Sequence, residues 1–425
     1  MSRPTIAGVA RAAGVSVASV SRVLNGLPAT EEMIERVQRA VSELGYVPDS
    51  RARSLKVGRT FQLTLAVADV GNPVYVTMMR AVEEVVSAAG YRLVVTTTGP
   101  EVVDEVALVR GMARGYADGL LISPIRVDED LVKSIRECEV PVVVAGSVPA
   151  KAGVDTVRAN SPKGMLLAVD HLAYCGRKRI AFLNGPADTV PGAARAKGFA
   201  EALKVHNLQP VALAEASDFT FSAGRAAAAE LLTAGRLASS QSSRRRGGAQ
   251  PTPTPGTNAG ATTSRTDGGG TTSRTDGDAT SRTGGDATTS RTSGDATASR
   301  TGGDAAASST GGGVIATRVG RGTHASRTQG VGFDAVVCAN DLLAVGLMHE
   351  LAAVGLRVPD DVAVVGMDDS ELAEQSFPPL TSVNLGSAER GRRAAELLLA
   401  RIEDNDRTPR RIVVQPSLSL RGSTP

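Results

Sequence analysis

The chain has 425 residues, of which 42% are hydrophobic and 21% charged, with a formal net charge of +3 at pH 7. Such a length allows two or three domains with a sizeable core. Because the net charge is close to zero, any basic binding surface must be confined to one part of the chain. The three cysteines form no CxxC pair, and with the four histidines they show no metal-ligand spacing. No signal peptide or run of roughly 18 apolar residues is present. We therefore expect a cytoplasmic protein without a membrane span, metal or other cofactor.

The first helices of the chain follow a helix-turn-helix pattern. Thr5 is placed to cap a helix over Ile6–Ala13, Gly14 supplies a tight turn, and Ser16 caps a second helix over Val17–Leu24. Such a pair puts its second helix into the DNA major groove, N-terminus first. The alternative is ordinary surface helices with solvated serines and arginines. The apolar residues predicted to face inward are Ile6, Val9, Ala10, Val15, Val20 and Val23.

The outward positions of the second helix suit base recognition. Arg22 carries the planar donors that match guanine O6 and N7, whereas Val17 and Ala18 offer only apolar contacts, for instance with a thymine methyl group. Short hydroxyl and amide side chains suit phosphate oxygens, which position a protein on DNA without reading its sequence. The predicted phosphate contacts are Thr5, Ser16, Ser19, Ser21 and Asn25.

A third helix and a basic segment complete residues 1–60, where nine basic residues face five acidic ones. Thr30 caps the amphipathic helix that ends at Leu44. Residues 50–57 can form a short helix that needs a partner helix or DNA, because about eight residues are unstable alone. There Leu55 lies among cations that include Arg51, which suits an apolar wedge in a minor groove.

Residues 61–238 alternate β-branched runs with helical patterns, which predicts a parallel sheet with helices on both faces. The pattern resumes after residue 330. The predicted strands are Gln62–Ala68, Tyr91–Thr97, Gly119–Ser123, Pro141–Ala145, Arg179–Asn184, Asp334–Ala339, Val362–Gly366 and Arg411–Gln415. The predicted helices are Tyr75–Ala89, Arg195–His206, Ala223–Ala234, Leu342–Ala353 and Ala388–Ile402.

Residues 239–330 interrupt this pattern with a degenerate repeat of units such as TTSRTDGGG and TTSRTDGDA. The units lack large apolar side chains and cannot offset the entropy of ordering, so we predict a disordered insertion. It falls between a helix and a strand, on the side of the sheet away from the carboxyl ends of the strands. It is either a passive expansion or, through its excess of arginine, a source of weak non-specific attraction to DNA.

The stretches TIAGVARAAGVSVASVSRVLNG and ELGYVPDSRARSLKVGRT resemble the LacI/GalR family of bacterial repressors. The resemblance covers the chain except the repeat segment. It implies that Val17, Ala18 and Arg22 read bases, and that Leu55 opens the central step of a palindromic operator together with its mate in a second subunit. One departure is Gly8, where the family usually has aspartate; glycine within a helix costs about 1 kcal/mol against alanine.

The resemblance also implies a regulatory domain similar to periplasmic sugar-binding proteins, with two Rossmann-like lobes around a cleft. Matching motifs place six residues in that cleft, namely Asp69, Tyr75, Arg195, Phe219, Asn340 and Asp368. Their planar polar groups and rings suit a sugar. Individually, Asp368 could cap a helix, Arg195 lie on the surface and Phe219 lie in the core. Val74 and Thr189 stand where some members have an aromatic residue and an arginine, which favours a sugar over a purine.

The expected protein is thus α/β, with an all-α headpiece over residues 1–60 and an effector and dimerisation domain over 61–425. Lobe 1 is predicted over about 61–160 and 384–413, and lobe 2 over about 161–238, 331–383 and 414–425. A homodimer is favoured because no terminal heptad helix follows the last strand. We expect a repressor that binds double-stranded operator DNA under effector control. The alternatives are a sugar-binding protein without DNA binding and an enzyme, but no common catalytic motif is present.

Overall fold

The computed structural model describes residues 4–47, 58–247 and 330–425. The predicted hinge residues Arg51 and Leu55, and most of the repeat segment, lie outside these ranges. Among the described residues no single helix is long and apolar enough to span a membrane, and one bent pair, Ile6–Ala13 with Val17–Leu24, passes only by length and composition.

The N-terminal region forms the three predicted helices: α1 Ile6–Ala13, α2 Val17–Leu24 and α3 Glu31–Leu44. The hydroxyls of Thr5, Ser16 and Thr30 accept hydrogen bonds from backbone N–H groups three residues later, so all three predicted caps are confirmed. Gly14 ends α1 with a φ of 65°, a left-handed conformation that favours glycine. The helices α1 and α2 meet at 102°, the angle of a helix-turn-helix.

A small apolar core holds these helices together. Its fully buried members are Val9, Ala10, Ala13, Val20, Val37 and Ala40. The predicted inward residues Ile6, Val15 and Val23 pack against that core while keeping part of their surface exposed. The inward face predicted from helical spacing is therefore confirmed.

The first lobe is a six-stranded sheet in the order β11-β5-β4-β3-β1-β2, in which the edge strand β11 is Arg411–Val414. Its elements are β1 Gln62–Val67, α4 Pro73–Ala88, β2 Arg92–Thr97, α5 Val102–Gly111, β3 Gly119–Ser123, α6 Glu129–Arg136, β4 Val142–Val144 and β5 Asp155–Ala159, with 3₁₀ turns at Met112–Arg114 and Ala150–Ala152. All strand pairs are parallel. Strand β3 is buried along its whole length because helices cover both faces of the sheet.

The second lobe is another six-stranded sheet, in the order β12-β10-β9-β8-β6-β7, in which the edge strand β12 is Ser417–Ser419. Its elements are α7 Ser161–Tyr174, β6 Ile180–Asn184, α8 Val190–Val205, β7 Leu213–Glu215, α9 Phe221–Gly247, β8 Ala335–Cys338, α10 Asp341–Ala353, β9 Ala363–Met367, α11 Glu371–Gln375 and β10 Thr381–Asn384. The strands are parallel except for the terminal β12. The two sheets confirm the predicted two-lobed α/β architecture.

Three chain crossings join the lobes. The chain passes to the second lobe after β5 and returns through α12 Ser387–Glu403 to β11 Arg411–Val414, before it crosses again to β12 Ser417–Ser419. Helix α12 packs closely on α4, since a side chain at Gly391 would come within 2.6 Å of the Met78 carbonyl oxygen. This close contact anchors the returning helix in lobe 1.

Three features differ from the sequence-based expectations. Helix α9 was predicted over Ala223–Ala234 but continues to Gly247, so residues 239–247 of the predicted disordered insertion are helical. Helix α8 begins at Val190 instead of Arg195, because Thr189 caps it and a proline occupies its first turn. The strands β5, β7, β10 and β12 were not predicted, since most are short and lie at or near sheet edges.

Helix α9 and the chain that resumes at residue 330 meet at the amino end of lobe 2's strands. The backbones of Gly235 and Gly332 cross here, with a Cβ at Gly332 falling 2.5 Å from the Gly235 carbonyl oxygen. Asp334 then accepts from the Arg179 amide at 3.0 Å, directly before β8 and β6 begin. Sites at the carboxyl ends of these strands lie at the opposite edge of the sheet.

Candidate DNA-binding face and effector pocket

Helix α2 exposes the residues predicted to read bases. Val17 is 45% exposed, and Ala18 and Arg22 are also exposed. The Arg22 guanidinium makes one weak contact, from Nη1 to the Pro28 carbonyl oxygen at 3.5 Å. Since this contact is at the limit of a hydrogen bond, the five donors of the side chain can turn toward a base edge at little cost.

Two of the four hydroxyls predicted to contact phosphate are already in use as helix caps. Thr5 Oγ1 accepts from the Gly8 amide at 3.2 Å, and Ser16 Oγ accepts from the Ser19 amide at 3.0 Å. A hydroxyl has two lone pairs and one proton, so a capping hydroxyl can still donate to a phosphate oxygen. Asn25 Nδ2 donates to the Ser21 carbonyl oxygen at 2.7 Å and, more weakly, to Ser21 Oγ at 3.3 Å, so the second bond is the one that a phosphate oxygen would replace.

A cavity of about 230 Å³ lies between the two lobes, at the carboxyl ends of the strands. This is where ligands bind in open α/β sheets. Five of the six predicted effector residues line it, namely Tyr75, Arg195, Phe219, Asn340 and Asp368. The sixth, Asp69, does not line it: its exposed carboxylate accepts from the Gly71 amide at 2.8 Å and forms a local turn.

Arg195 and Asp368 form a buried ion pair at this cavity. Arg195 Nη2 lies 3.4 Å from Asp368 Oδ1, and the two residues are 7% and 6% exposed. The alternative that Arg195 lies on the surface is therefore wrong. Arg195 Nε is buried without a hydrogen-bond partner, and an unmet buried donor costs roughly 1–3 kcal/mol. A ligand oxygen at this nitrogen would remove that penalty.

Asp368 has an uncommon backbone conformation. Its φ is 111°, and the next residue, Asp369, has a φ of 53°. Hydrogen bonds hold this turn in place, from the Asp368 amide to the Val383 carbonyl oxygen and from the Asp369 amide to Ser382 Oγ. Such strain is characteristic of functional sites. Burial raises the pKa of Asp368, although the neighbouring arginines Arg195 and Arg390 act in the opposite direction.

Phe219 forms an apolar wall of the cavity, and Asn340 braces it. The Arg195 guanidinium carbon lies 5.7 Å from the centre of the Phe219 ring, within cation–π range. Gly185 makes room for the ring, since a Cβ there would fall 2.1 Å from a ring carbon. Asn340 Nδ2 donates to the Phe219 carbonyl oxygen, and its Oδ1 caps α10 by accepting from the Leu343 amide, both at 2.9 Å. Asn340 thus retains one N–H for a ligand.

Tyr75 lies in the first turn of α4, where Asn72 caps the helix. Burial raises the pKa of its phenol above the ordinary value of 10.0, so the hydroxyl stays neutral and can donate. Sequence reasoning missed several polar residues of the cavity, namely Asn72, Ser123, Ser147, Arg158, Ser161 and Arg390. Arg158 lies on the unpredicted strand β5, and Arg390 lies in the first turn of α12.

Contacts across the cleft hold the two lobes together in this structure. Arg126 makes a bidentate pair with Asp188, through Nε at 2.7 Å and Nη2 at 3.1 Å. Beside it, the Val190 amide at the start of α8 donates to the Ile125 carbonyl oxygen at 2.7 Å. Because these contacts lie at one edge of the cleft, the two lobes can open and close around a ligand bound between them.

Three segments of the chain match known protein families. Residues 5–49 match the family described as bacterial regulatory proteins, lacI family. Residues 60–235 match the periplasmic binding proteins and sugar binding domain of LacI family, and residues 282–424 match a periplasmic binding protein-like domain.

Whole-chain relatives cover both regions. The HTH-type transcriptional regulator CelR of Thermobifida fusca is 30% identical over 434 aligned residues, covering 99% of this chain and 98% of that protein. A solved complex of the transcriptional regulator CelR with cellobiose has a TM-score of 0.59 at 28% identity, covering 99% and 100% of the two chains. A lac repressor dimer bound to operator and the anti-inducer ONPF has a TM-score of 0.68 at 21% identity, covering 100% and 99%, and shows the shared fold.

These relatives are transcriptional regulators and not enzymes. The helix-turn-helix, the paired parallel sheets and the full-length match to CelR agree with one another. The chain belongs to the LacI family of bacterial regulatory proteins.

Proposed function

We propose that the protein is a sequence-specific transcriptional repressor that binds a palindromic operator as a homodimer and responds to a sugar-type effector. One observation carries the DNA-binding half of this proposal: α1 and α2 meet at 102° and leave Val17, Ala18 and Arg22 exposed on the recognition helix. A recognition helix enters the major groove with its N-terminal residues toward the bases.

Each exposed side chain has a distinct part in this proposal. Arg22 donates two hydrogen bonds to a guanine, and Val17 and Ala18 contact thymine methyl groups. Thr5, Ser16, Ser19, Ser21 and Asn25 donate to phosphates and set the register. Arg51 and Leu55 stay predictions for a hinge that enters the minor groove.

The effector half of the proposal rests on the cavity between the lobes. Arg195 and Asp368 present a planar donor and an acceptor to ring hydroxyls, and Asn340 adds its remaining N–H. Phe219 and Tyr75 supply aromatic surface at the same cavity. Sugar sites combine polar groups with apolar ring contacts in this way. The cellobiose complex of CelR, which shares this fold, supports a carbohydrate.

Effector binding would alter operator affinity through the movement of the lobes. A ligand that contacts both Tyr75 in lobe 1 and Arg195 in lobe 2 favours the closed cleft over the open one. In a dimer, this closure changes the spacing of the two hinge segments. The coupling between effector binding and operator binding then comes from the difference in effector affinity between the open and the closed state.

Dimerisation is supported by an exposed apolar sheet edge. Strand β2 lies at the edge of the first sheet, where Val94 and Val95 are 37% and 36% exposed. Bare edge strands with apolar side chains are usually covered by another chain. The related lac repressor structure is a dimer on its operator.

Selection of DNA from a random duplex library by the purified full-length protein tests the proposal. We expect a palindrome with half-sites about one helical turn apart and a flexible step at its centre. Arg22→Ala serves as the control and should lose this enrichment. If the folded protein enriches no sequence, with or without sugars, but binds a sugar, it is a sugar-binding protein without DNA-binding activity.

The repeat segment is proposed to be passive. It joins lobe 2 at the edge away from the effector cavity, and loop-closure entropy depends only weakly on length. Deletion of 248–329, which keeps all of α9, should leave operator and sugar affinity unchanged. A large loss of operator affinity at moderate salt would show instead that the segment attracts DNA.

A further inference from the structure

Among the residues that the structure describes, three arginines but only one carboxylate line the effector cavity. The cations are Arg158, Arg195 and Arg390, and the single acidic lining residue is Asp368. A neutral ligand would leave this excess of positive charge without a counter-charge in the cavity. The charge balance of the cavity therefore bears on the chemical class of the effector.

Arg390 is the least satisfied of the three. Its Nε is buried and has no hydrogen-bond partner, and among the described residues no carboxylate lies within ion-pair distance of it. Asp368 is the acidic group that faces it, and that carboxylate is already paired with Arg195. Burial lowers the pKa of Arg390, as expected for a cation without a full counter-charge.

Arg158 adds a second uncompensated charge. It follows the buried part of β5, is partly exposed and lines the same cavity beside Ser147 and Ser161. In the described part of the chain its side chain has no hydrogen bond or ion pair. It is thus available to a ligand, as Arg390 is.

The next acidic group behind the cavity cannot neutralise these cations. Asp341 is buried beneath Asp368, and its carboxylate accepts from the Ser370 amide, Ser370 Oγ and Ser382 Oγ at 2.5–2.8 Å. Burial and the charge of Asp368 raise the pKa of Asp341 to about 7, so it is partly protonated near neutral pH.

We propose that the effector is an anionic sugar, either a sugar acid or a sugar phosphate, whose charged group is bound by Arg390 and Arg158. Arg195 and Asp368 then contact the hydroxyls of the same ligand. This inference rests on the proposed effector role of the cavity and specifies its ligand class. The cavity volume of about 230 Å³ is below the ~300–1,000 Å³ of drug-sized pockets, which favours a single ring with one charged substituent.

The test compares matched sugars by isothermal titration calorimetry on the purified full-length protein. The panel consists of glucose, glucuronate and glucose 6-phosphate, and of galactose, galacturonate and galactose 6-phosphate. We expect an anionic member to bind roughly tenfold more tightly than its neutral partner, with an affinity that falls as salt is raised. The carboxylate and phosphate arms show which anion the site accepts.

Variants then identify the responsible side chain. Arg390→Met keeps much of the apolar stem and should lower the affinity for the anion about tenfold, with little change for the neutral sugar. Arg390→Lys keeps the charge and should retain most of the binding. Arg393→Met is the matched control, because Arg393 is exposed on the same helix and pairs with Glu389; it should bind like the wild type.

The outcomes separate this inference from the proposed function. A neutral sugar that binds as tightly as its anionic partner overturns the anionic effector but leaves a sugar-responsive regulator intact. If no sugar in the panel binds, inorganic phosphate becomes the probe: thermal stabilisation of the wild type but not of Arg390→Met supports the anion site, and its absence overturns the inference. Operator selection is measured separately, so its failure affects only the proposed function.

Discussion

The buried pair of Asp155 and Arg401 is expected to be essential for the stability of lobe 1. The two residues are 0% and 8% exposed. Arg401 donates to Asp155 Oδ2 from Nε at 3.0 Å and from Nη2 at 2.7 Å, and the Arg410 amide donates to Oδ1 at 2.6 Å. These bonds join α12 to β5, the elements that carry Arg390 and Arg158.

Asp155→Ala should destabilise the protein by about 4 kcal/mol. The substitution leaves the buried Arg401 guanidinium without its carboxylate and the Arg410 amide without its acceptor, and removal of one partner of a buried ion pair costs about 3–5 kcal/mol. At a typical urea dependence, this lowers the unfolding midpoint by about 2 M. The assay is urea unfolding followed by far-ultraviolet circular dichroism.

The double variant Asp155→Val with Arg401→Met tests the physical reason. It replaces both charges with apolar groups. Its loss of stability should therefore be smaller, by more than about 1 kcal/mol, than the sum of the losses caused by Asp155→Val alone and Arg401→Met alone. Arg393→Ala, which removes an exposed ion pair on the same helix, should leave the midpoint unchanged. A single Asp155→Ala variant within about 1 kcal/mol of the wild type would refute the argument.

Three further predictions concern the headpiece and the pH dependence of stability. Arg22→Ala should weaken operator binding by about 1–3 kcal/mol, while non-specific binding, measured on random DNA, changes little. Gly8→Ala should slow amide hydrogen exchange in α1 about fivefold, because alanine is favoured over glycine by about 1 kcal/mol within a helix. The added methyl group would lie 3.6 Å from Thr5 Oγ1 and so would not clash. Unchanged exchange would contradict this prediction. Burial, and secondarily Asp128, raises the pKa of Glu105 from 4.5 to about 8, so the folded state favours the protonated acid. The wild type should therefore lose stability as pH rises from about 4.5 to 8. Glu105→Gln, equal to it at low pH, should be more stable by up to about 5 kcal/mol above that range in urea titrations; parallel stability curves would show that Glu105 is not responsible.

Local patterns were sufficient to predict the three N-terminal helices. The caps at Thr5, Ser16 and Thr30 act over three residues, and Gly14 ends its helix through its own backbone freedom. The central strands were equally readable, because β-branched runs that are buried on both faces differ clearly from the helices between them. Short edge strands such as β7 and β12 have no such signal.

The effector cavity was only partly predictable. Arg195, Phe219 and Asp368 were placed by resemblance to a family motif, and the structure brings them to one cavity. The same reasoning included Asp69, whose carboxylate instead closes a local turn through Gly71. A motif identifies the loop on which a residue lies, but the direction of its side chain depends on the hydrogen bonds within that loop.

The sequence by itself therefore determined the helix-turn-helix and the central strands, since these depend on interactions between residues close in the chain, and its motifs indicated the family. Only the tertiary structure decided the charge of the effector cavity. Arg158 lies on a strand that ends before the first crossing, and Arg390 lies on a helix that returns more than two hundred residues later. The two arginines line the same cavity because the two lobes pack together. Local sequence patterns cannot predict which charged side chains this packing leaves without a partner.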